Sequence, residues 1–337
     1  MPKIILAGYF GCGNFGDDWI LECCLNDLEY LGITRKNVIL WPKAFPRLRT
    51  MSRESHIIFL GGLWQDKTSM RSLLYYILCA NTAHLISANP LIFYGAGIGP
   101  ITRPISRKLF RRLLKPSSKE NKNLSLHLRD ENSAKELANI TGRALNANAR
   151  SATGFDLAFG FPVDTARGSE RGGDIGIVLN NAISSPQTDD FIANCFQELI
   201  RHKKNITIFM THPARDIAQY KRLESSFRAK HKVISYDNDI HAFIARLSAM
   251  DALLSLRLHT SIFAWQRAIP LAVPAIKRCP AQDKIAHMSS YMNAPVTWLK
   301  ENIDISAWLS SSHDHALPAS KNSYKKYNIE YLKNLLA

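Results

Sequence analysis

Long hydrophobic runs are missing from this sequence. No stretch approaches the roughly 18 apolar residues that a membrane-spanning helix needs, and the longest candidate, Leu73 to Ala80, stops well short. The opening residues, MPKIILAGYF, lack the long apolar region and small-residue cleavage site of a secretory signal, so the chain is expected in the cytoplasm. Paired cysteines are missing too. Cys12, Cys23, Cys24, Cys79, Cys195 and Cys279 form no CxxC pair and no Cys/His spacing suited to zinc. They read as free thiols in a reducing compartment, and no metal site is expected. There is no zinc finger and no RNA-recognition signature, which argues against a nucleic-acid partner. Negative charge is in short supply: 28 Asp and Glu face 43 Lys and Arg, a formal charge of +15. Such an excess calls for an anionic partner, either a phosphorylated small substrate or an anionic membrane surface.

What is present is the composition of a folded protein, 46% apolar and 21% charged over 337 residues, enough for two domains. Short apolar strands alternate with amphipathic helices. Ile4 to Gly8 reads as a buried strand, followed by a Gly-rich turn and a helix from about Asp17 to Leu31, with Ile20, Leu21, Cys24, Leu25, Leu28 and Leu31 at helical spacing. The alternation continues to about residue 165, breaks at a polar, Gly-rich stretch from Thr165 to Asp174, and restarts with a strand at Ile175 to Leu179. The expected fold class is α/β: two doubly wound Rossmann-like domains facing across a cleft, similar to the GT-B glycosyltransferase arrangement. The boundaries expected are 1–165, 174–318 and a C-terminal helix over 319–337.

In such sheets ligands bind beyond the carboxyl ends of the strands, and five segments there carry chemistry. GYFGCGNFGDD (residues 8–18) places glycines and two carboxylates at a helix start. Glycine lets backbone amides approach an anion. Asp17 and Asp18 either only initiate the helix, or one of them holds or deprotonates an acceptor hydroxyl. LGGLWQD (60–66) presents Gln65 and Asp66, which suit sugar hydroxyls; otherwise Asp66 caps the next helix. YGAGIGP (94–100) sets Gly97 among alternate glycines. RDENS (129–133) puts Arg129 at a strand end, where a guanidinium grips phosphate or carboxylate, or else pairs with Asp130. In RLHTSIFA (257–264), Arg257 and His259 are two apart, so on an extended segment they point the same way. A cation beside an imidazole suits an anionic substrate and a proton transfer.

Together these segments resemble the polysaccharide pyruvyl transferase family. Its members carry a GYxGxGNxGDE opening between strand and helix, a GGGGLLQD-like segment, YGAGIGP, RD-x-x-S and RLH. Order and approximate spacing match over residues 4 to about 285. Asp18 stands where the family has Glu, and a YDPK-like segment after RLH is represented only by Gln282 to Ile285. The resemblance implies phosphoenolpyruvate as donor, no cofactor, and a ketal-linked pyruvate on a sugar or lipid-linked saccharide as product, in cell-surface or exopolysaccharide biosynthesis. It implies that Arg129 and Arg257 hold the donor's two anionic groups. His259 is then the acid or the base, and Asp17 completes the catalytic set. Gly13, Asn14, Gly16, Gln65, Asp66 and Gly97 are the further substrate-binding candidates. Two alternatives stay open: a glycosyltransferase using a nucleotide-sugar donor, and a relative that binds anion or sugar without turnover. A basic face on the helix near Ile105 to Leu114, made of Arg107, Lys108, Arg111 and Arg112, is expected to touch an anionic membrane peripherally, or is merely solvated.

Overall fold

The computed structural model of the chain describes residues 3–41, 52–66, 69–114, 124–142, 150–160, 173–227, 230–275, 280–300, 305–310 and 323–336. The chain forms two compact units. The first comprises Met1–Phe10, Ile20–Phe161 and Lys321–Ala337; the second comprises Gly11–Trp19 and Pro162–Ser320. The division is therefore not linear along the sequence. The Gly-rich loop counts with the second unit, and the C-terminal helix counts with the first. The stretch marked as a linker lies almost wholly outside the described residues.

In the first unit β1 (Ile4–Ala7), β2 (Val38–Trp41), β3 (His56–Leu60), β4 (Leu91–Ala96), β5 (Leu124–Leu128) and β6 (Arg150–Thr153) form a parallel sheet in the order β2-β1-β3-β4-β5-β6. Their connections include α1 (Phe15–Tyr30), α2 (Met70–Ile86), α3 (Pro104–Leu113) and α4 (Glu131–Thr141). Every residue of β1, β4 and β5 is buried, so both sheet faces are covered, as crossover helices require. Trp64 and Phe93 stack at 4.2 Å between ring centroids inside this core. The last helix, α11 (Glu330–Leu336), follows a π-helical turn over Lys325–Ile329. Just before that turn, the Tyr324 hydroxyl donates to Asp27 at 2.7 Å, and Tyr94 donates to the same oxygen at 3.0 Å.

The second unit repeats the plan. Its strands are β7 (Asp174–Val178), β8 (Asn205–Met210), β9 (Lys232–Ser235), β10 (Ala252–Ser255), β11 (Leu271–Pro274) and β12 (Thr297–Leu299), in the parallel order β12-β11-β10-β7-β8-β9. Helices α5 (Pro186–Arg201), α6 (Pro213–Leu223), α7 (Ile240–Ser248), α8 (Leu258–Gln266), α9 (Pro280–Met292) and α10 (Ile305–Ser310) accompany them. In each sheet the winding direction reverses once, at β1/β3 and at β7/β10, which defines a doubly wound fold. The edge strands β6 and β12 have no counterpart in the sequence reading. β6 is Arg-Ser-Ala-Thr and β12 is three residues long, so neither offers an apolar run.

Candidate active site

The strand reversal of the second unit is where its charged residues gather. Arg257 follows β10 and reaches over the end of β7: its Nε donates to the Leu179 carbonyl at 3.1 Å, and Nη2 donates to Asp216. Asp216 is fully buried and also accepts the backbone amides of His212 (2.9 Å) and Asn181 (3.2 Å). This holds the guanidinium in one place. Burial lowers the Arg257 pKa from the ordinary guanidinium value, against the pull of Asp216.

The extended Arg-x-His arrangement is corrected here. β10 ends at Ser255, Arg257 is the extended N-cap, and α8 begins at Leu258, so His259 lies in the first helical turn. The helix turns the imidazole away from the arginine's direction and onto another segment. A Cβ built on Gly16 would lie 2.1 Å from His259 Nδ1. The ring therefore rests on the bare backbone of the Gly-rich loop, where any side chain would displace it.

That loop is stitched into the second unit. The Phe15 amide donates to the Thr211 carbonyl at 3.0 Å, and the Phe15 ring packs on Phe243 and Tyr236. Gly13 has φ +71°, open to glycine and strained for other residues. Asn14 accepts the Gly16 amide at 3.3 Å and donates through Nδ2 to Asp17. The two aspartates separate in role. Asp18 is tied down, accepting the Gly11 amide at 2.7 Å and the Tyr236 hydroxyl at 2.7 Å. Asp17 keeps partial solvent contact. Desolvation nonetheless pushes its pKa up to about 7, aided by Asp18 and opposed by Asn14, Arg257 and Arg215. A carboxyl near neutral exchanges protons at working pH.

Arg129 belongs to the first unit. It leaves the end of β5 and lies over Gly97, where a Cβ would come within 2.8 Å of its Cζ. Nε donates to Asp130 at 2.9 Å and Nη1 stands 3.6 Å from Asp156. Burial works to lower its pKa, but the two carboxylates outweigh it and hold the guanidinium above its usual value. Asp130 both pairs with Arg129 and caps α4, accepting the Ser133 amide at 2.7 Å.

Asp66 is not the sugar-facing group its position suggests, nor the cap of α2, which is Ser69. It is 3% exposed. One oxygen accepts the Thr102 amide and hydroxyl, the other the Arg103 amide. Burial would raise its pKa, but these donors and the Ser106 hydroxyl hold the carboxyl below its usual range. Asp66 thus clamps the entry to α3. Gln65 turns back to the Gly62 carbonyl at 3.3 Å.

The sequence reading missed the segment after β8, Thr211 to Asp216, which supplies the buried partner of Arg257 and a second cation, Arg215. A Pro one residue after a strand-end His marks a helix start, and that was its one available signal. Among the described residues no group of three His, Cys, Asp or Glu side chains is placed to hold a metal ion, and no helix is long and apolar enough to cross a membrane.

Two parallel six-stranded α/β sheets, each with its strand reversal, define the class of protein. Solved structures with the same fold include the UDP-GlcNAc 2-epimerase of Methanocaldococcus jannaschii in complex with UDP-GlcNAc and UDP (12% identity over 99% of this chain and 100% of that one, TM-score 0.59). The UDP-N-acetylglucosamine 2-epimerase of Rickettsia bellii is similar (14% identity, 99% and 95% covered, TM-score 0.58). At such identities the likeness is one of fold. No curated protein matches the chain. The model of the polysaccharide pyruvyl transferase family matches residues 14–271, and the chain belongs to that family.

Proposed function

We propose that the protein transfers the enolpyruvyl carbons of phosphoenolpyruvate to two hydroxyls of a sugar, leaving a pyruvate ketal and inorganic phosphate. Family membership supports transfer to a polysaccharide or its precursor. The observation that carries the chemistry is the seating of the His259 imidazole on Gly16, beside Asp17 with its pKa of about 7. In this reading a proton goes to the donor methylene and C2 becomes electrophilic. One sugar hydroxyl adds to C2 and loses its proton. The C2–O bond to phosphate then breaks, and the second hydroxyl closes the ketal, its proton leaving with the phosphate. His259 and Asp17 share the proton transfers, one as acid and one as base. Arg257, fixed by Asp216, faces the donor's negative charge. No cofactor enters this scheme.

The test is phosphate release from phosphoenolpyruvate against free and lipid-linked glycosides, with pyruvylated product identified by mass. Release that depends on acceptor supports the reading. Donor binding without release on any acceptor would make the protein a binding relative. The fold shared with epimerases that bind UDP-sugars supports a second reading, a nucleotide-sugar enzyme, and turnover of a UDP-sugar in the same assay would favour it.

We also propose a cytoplasmic protein that touches anionic membrane through α3. Arg107, Lys108, Arg111 and Arg112 are all exposed, and so is Ile105. Each cation near an anionic leaflet is worth about 1 kcal/mol. Sedimentation with anionic but not neutral vesicles, abolished by reversing the four charges, is the expected result; equal recovery with both vesicles overturns it.

A further inference from the structure

The fold does not use up the polar groups of the segment joining β8 to α6. Thr211 is 2% exposed and His212 6%. The Thr211 hydroxyl and both ring nitrogens of His212 meet no hydrogen-bond partner among the described residues. His212 is the N-cap of α6, yet its imidazole makes no capping bond. A buried donor or acceptor left without a partner costs about 1–3 kcal/mol. Three such atoms on two adjacent residues leave room for a ligand.

The surroundings say what charge that partner carries. The positive end of the α6 dipole lies here. Arg215, exposed in its first turn, and Arg257 both act on the His212 ring. The nearest carboxylate, Asp216, is already occupied by Arg257 and by the His212 and Asn181 amides. Burial, assisted by Arg215 and Arg257 and opposed by Asp216, lowers the His212 pKa and favours the neutral ring, which has one N–H to donate. A hydroxyl, a neutral imidazole and a guanidinium at a helix amino end are donors for oxygen atoms of an anion.

We infer that Thr211, His212 and Arg215 form an oxyanion seat at the amino end of α6 that takes a phosphate group. On the donor reading above, on which this inference rests, the occupant is the phosphate of phosphoenolpyruvate, later released as inorganic phosphate. A phosphate presents enough acceptor oxygens for all three donors, and the Phe15–Thr211 backbone bond ties the seat to the loop that carries Asp17.

Calorimetric titration of the full chain with inorganic phosphate, and separately with phosphoenolpyruvate, tests this. His212→Phe keeps a buried ring and removes two unpartnered polar atoms. Its melting temperature should hold or rise while phosphate affinity falls at least about tenfold. Arg215→Met, at an exposed position, should lose affinity similarly with an unchanged melting temperature. It carries the test if His212→Phe fails to fold. Phosphate affinity within twofold of the parent in Arg215→Met and in any folded His212→Phe overturns the seat, and so does a parent chain that binds no phosphate at millimolar concentration. The donor reading fails separately. If phosphate affinity responds as described but phosphoenolpyruvate binds no better than phosphate and is never turned over, the seat stands and the donor is another phosphate ester.

Discussion

Asp17 and Asp27 lie on the same helix, and burial pushes both carboxyls up to about 7. In the first unit, Asp27 is 2% exposed and receives the hydroxyls of Tyr94 and Tyr324. In the second unit, Asp17 keeps some solvent and is held by Asn14. The arginines divide the same way. Arg129 sits between two carboxylates, a local surplus of negative charge. Arg257 has Asp216, and a further cation, Arg215, acts on it. In the first unit Asp27 and Arg129 are answered by internal partners, whereas in the second Arg215 and Asp17 keep capacity to spare. A raised pKa or a buried arginine is thus no mark of chemistry by itself; what distinguishes a site is the partner it still lacks.

The largest effect that tests this contrast is on stability. Arg129→Met strands Asp130 and Asp156 in the core, and Arg257→Met strands Asp216. Each loss should cost about 3–5 kcal/mol in denaturant unfolding. An Arg129→Met chain as stable as the parent would show that the first unit's pairing is not structural.

The two aspartates should differ in pH response. Asp27 has a folded pKa raised above its unfolded value of 3.8. Its contribution is therefore fully present below about pH 4 and is lost as pH rises toward 7. Asp27→Asn removes that loss, so its stability relative to the parent should climb by about 1.4 kcal/mol per pH unit between about pH 4 and 7. The shift at Asp17 has the same sign, with a smaller stability slope because the group is partly solvated. Asp17→Asn should instead erase a limb near pH 7 in the rate profile. A flat Asp27→Asn difference across that window would break the comparison.

His259→Ala should lower turnover by about 10²-fold with the fold kept. Gly16→Ala should do nearly the same, because its methyl group occupies the imidazole's place. Normal phosphate release from folded Gly16→Ala would show that the seating of His259 on the loop does not matter.

The smallest effect is the sharpest discriminator between the arginines. Lysine lacks the bidentate fork. Arg257→Lys should weaken phosphoenolpyruvate binding about tenfold, and Arg129→Lys by less than about threefold. Equal losses in titration would restore Arg129 as an equal partner in anion binding.

Much of this was legible in the chain. Central strands such as β4 and β5 are apolar on both faces and announce themselves, while β6 and β12 sit at sheet edges with no such need. Arg257 and His259 stand out by residue type. Their geometry was misread because a strand end and a helix start look alike over three residues. Asp66 was misread because a short carboxylate after a glycine pair suits a cap, a clamp or a sugar equally.

The sequence by itself determined two parallel sheets, their order of alternation, and five strand-end segments with the residue types of the family, because burial on both faces and glycine turns are local requirements. Only the tertiary structure decided which unit owns the Gly-rich loop, that Asp18 is tied to Tyr236 while Asp17 is not, and that the His212 ring is buried with no hydrogen-bond partner among the described residues. Those outcomes depend on partners far away in the chain, Thr211 for Phe15 and Asp216 for Arg257, and no local pattern encodes a distant partner.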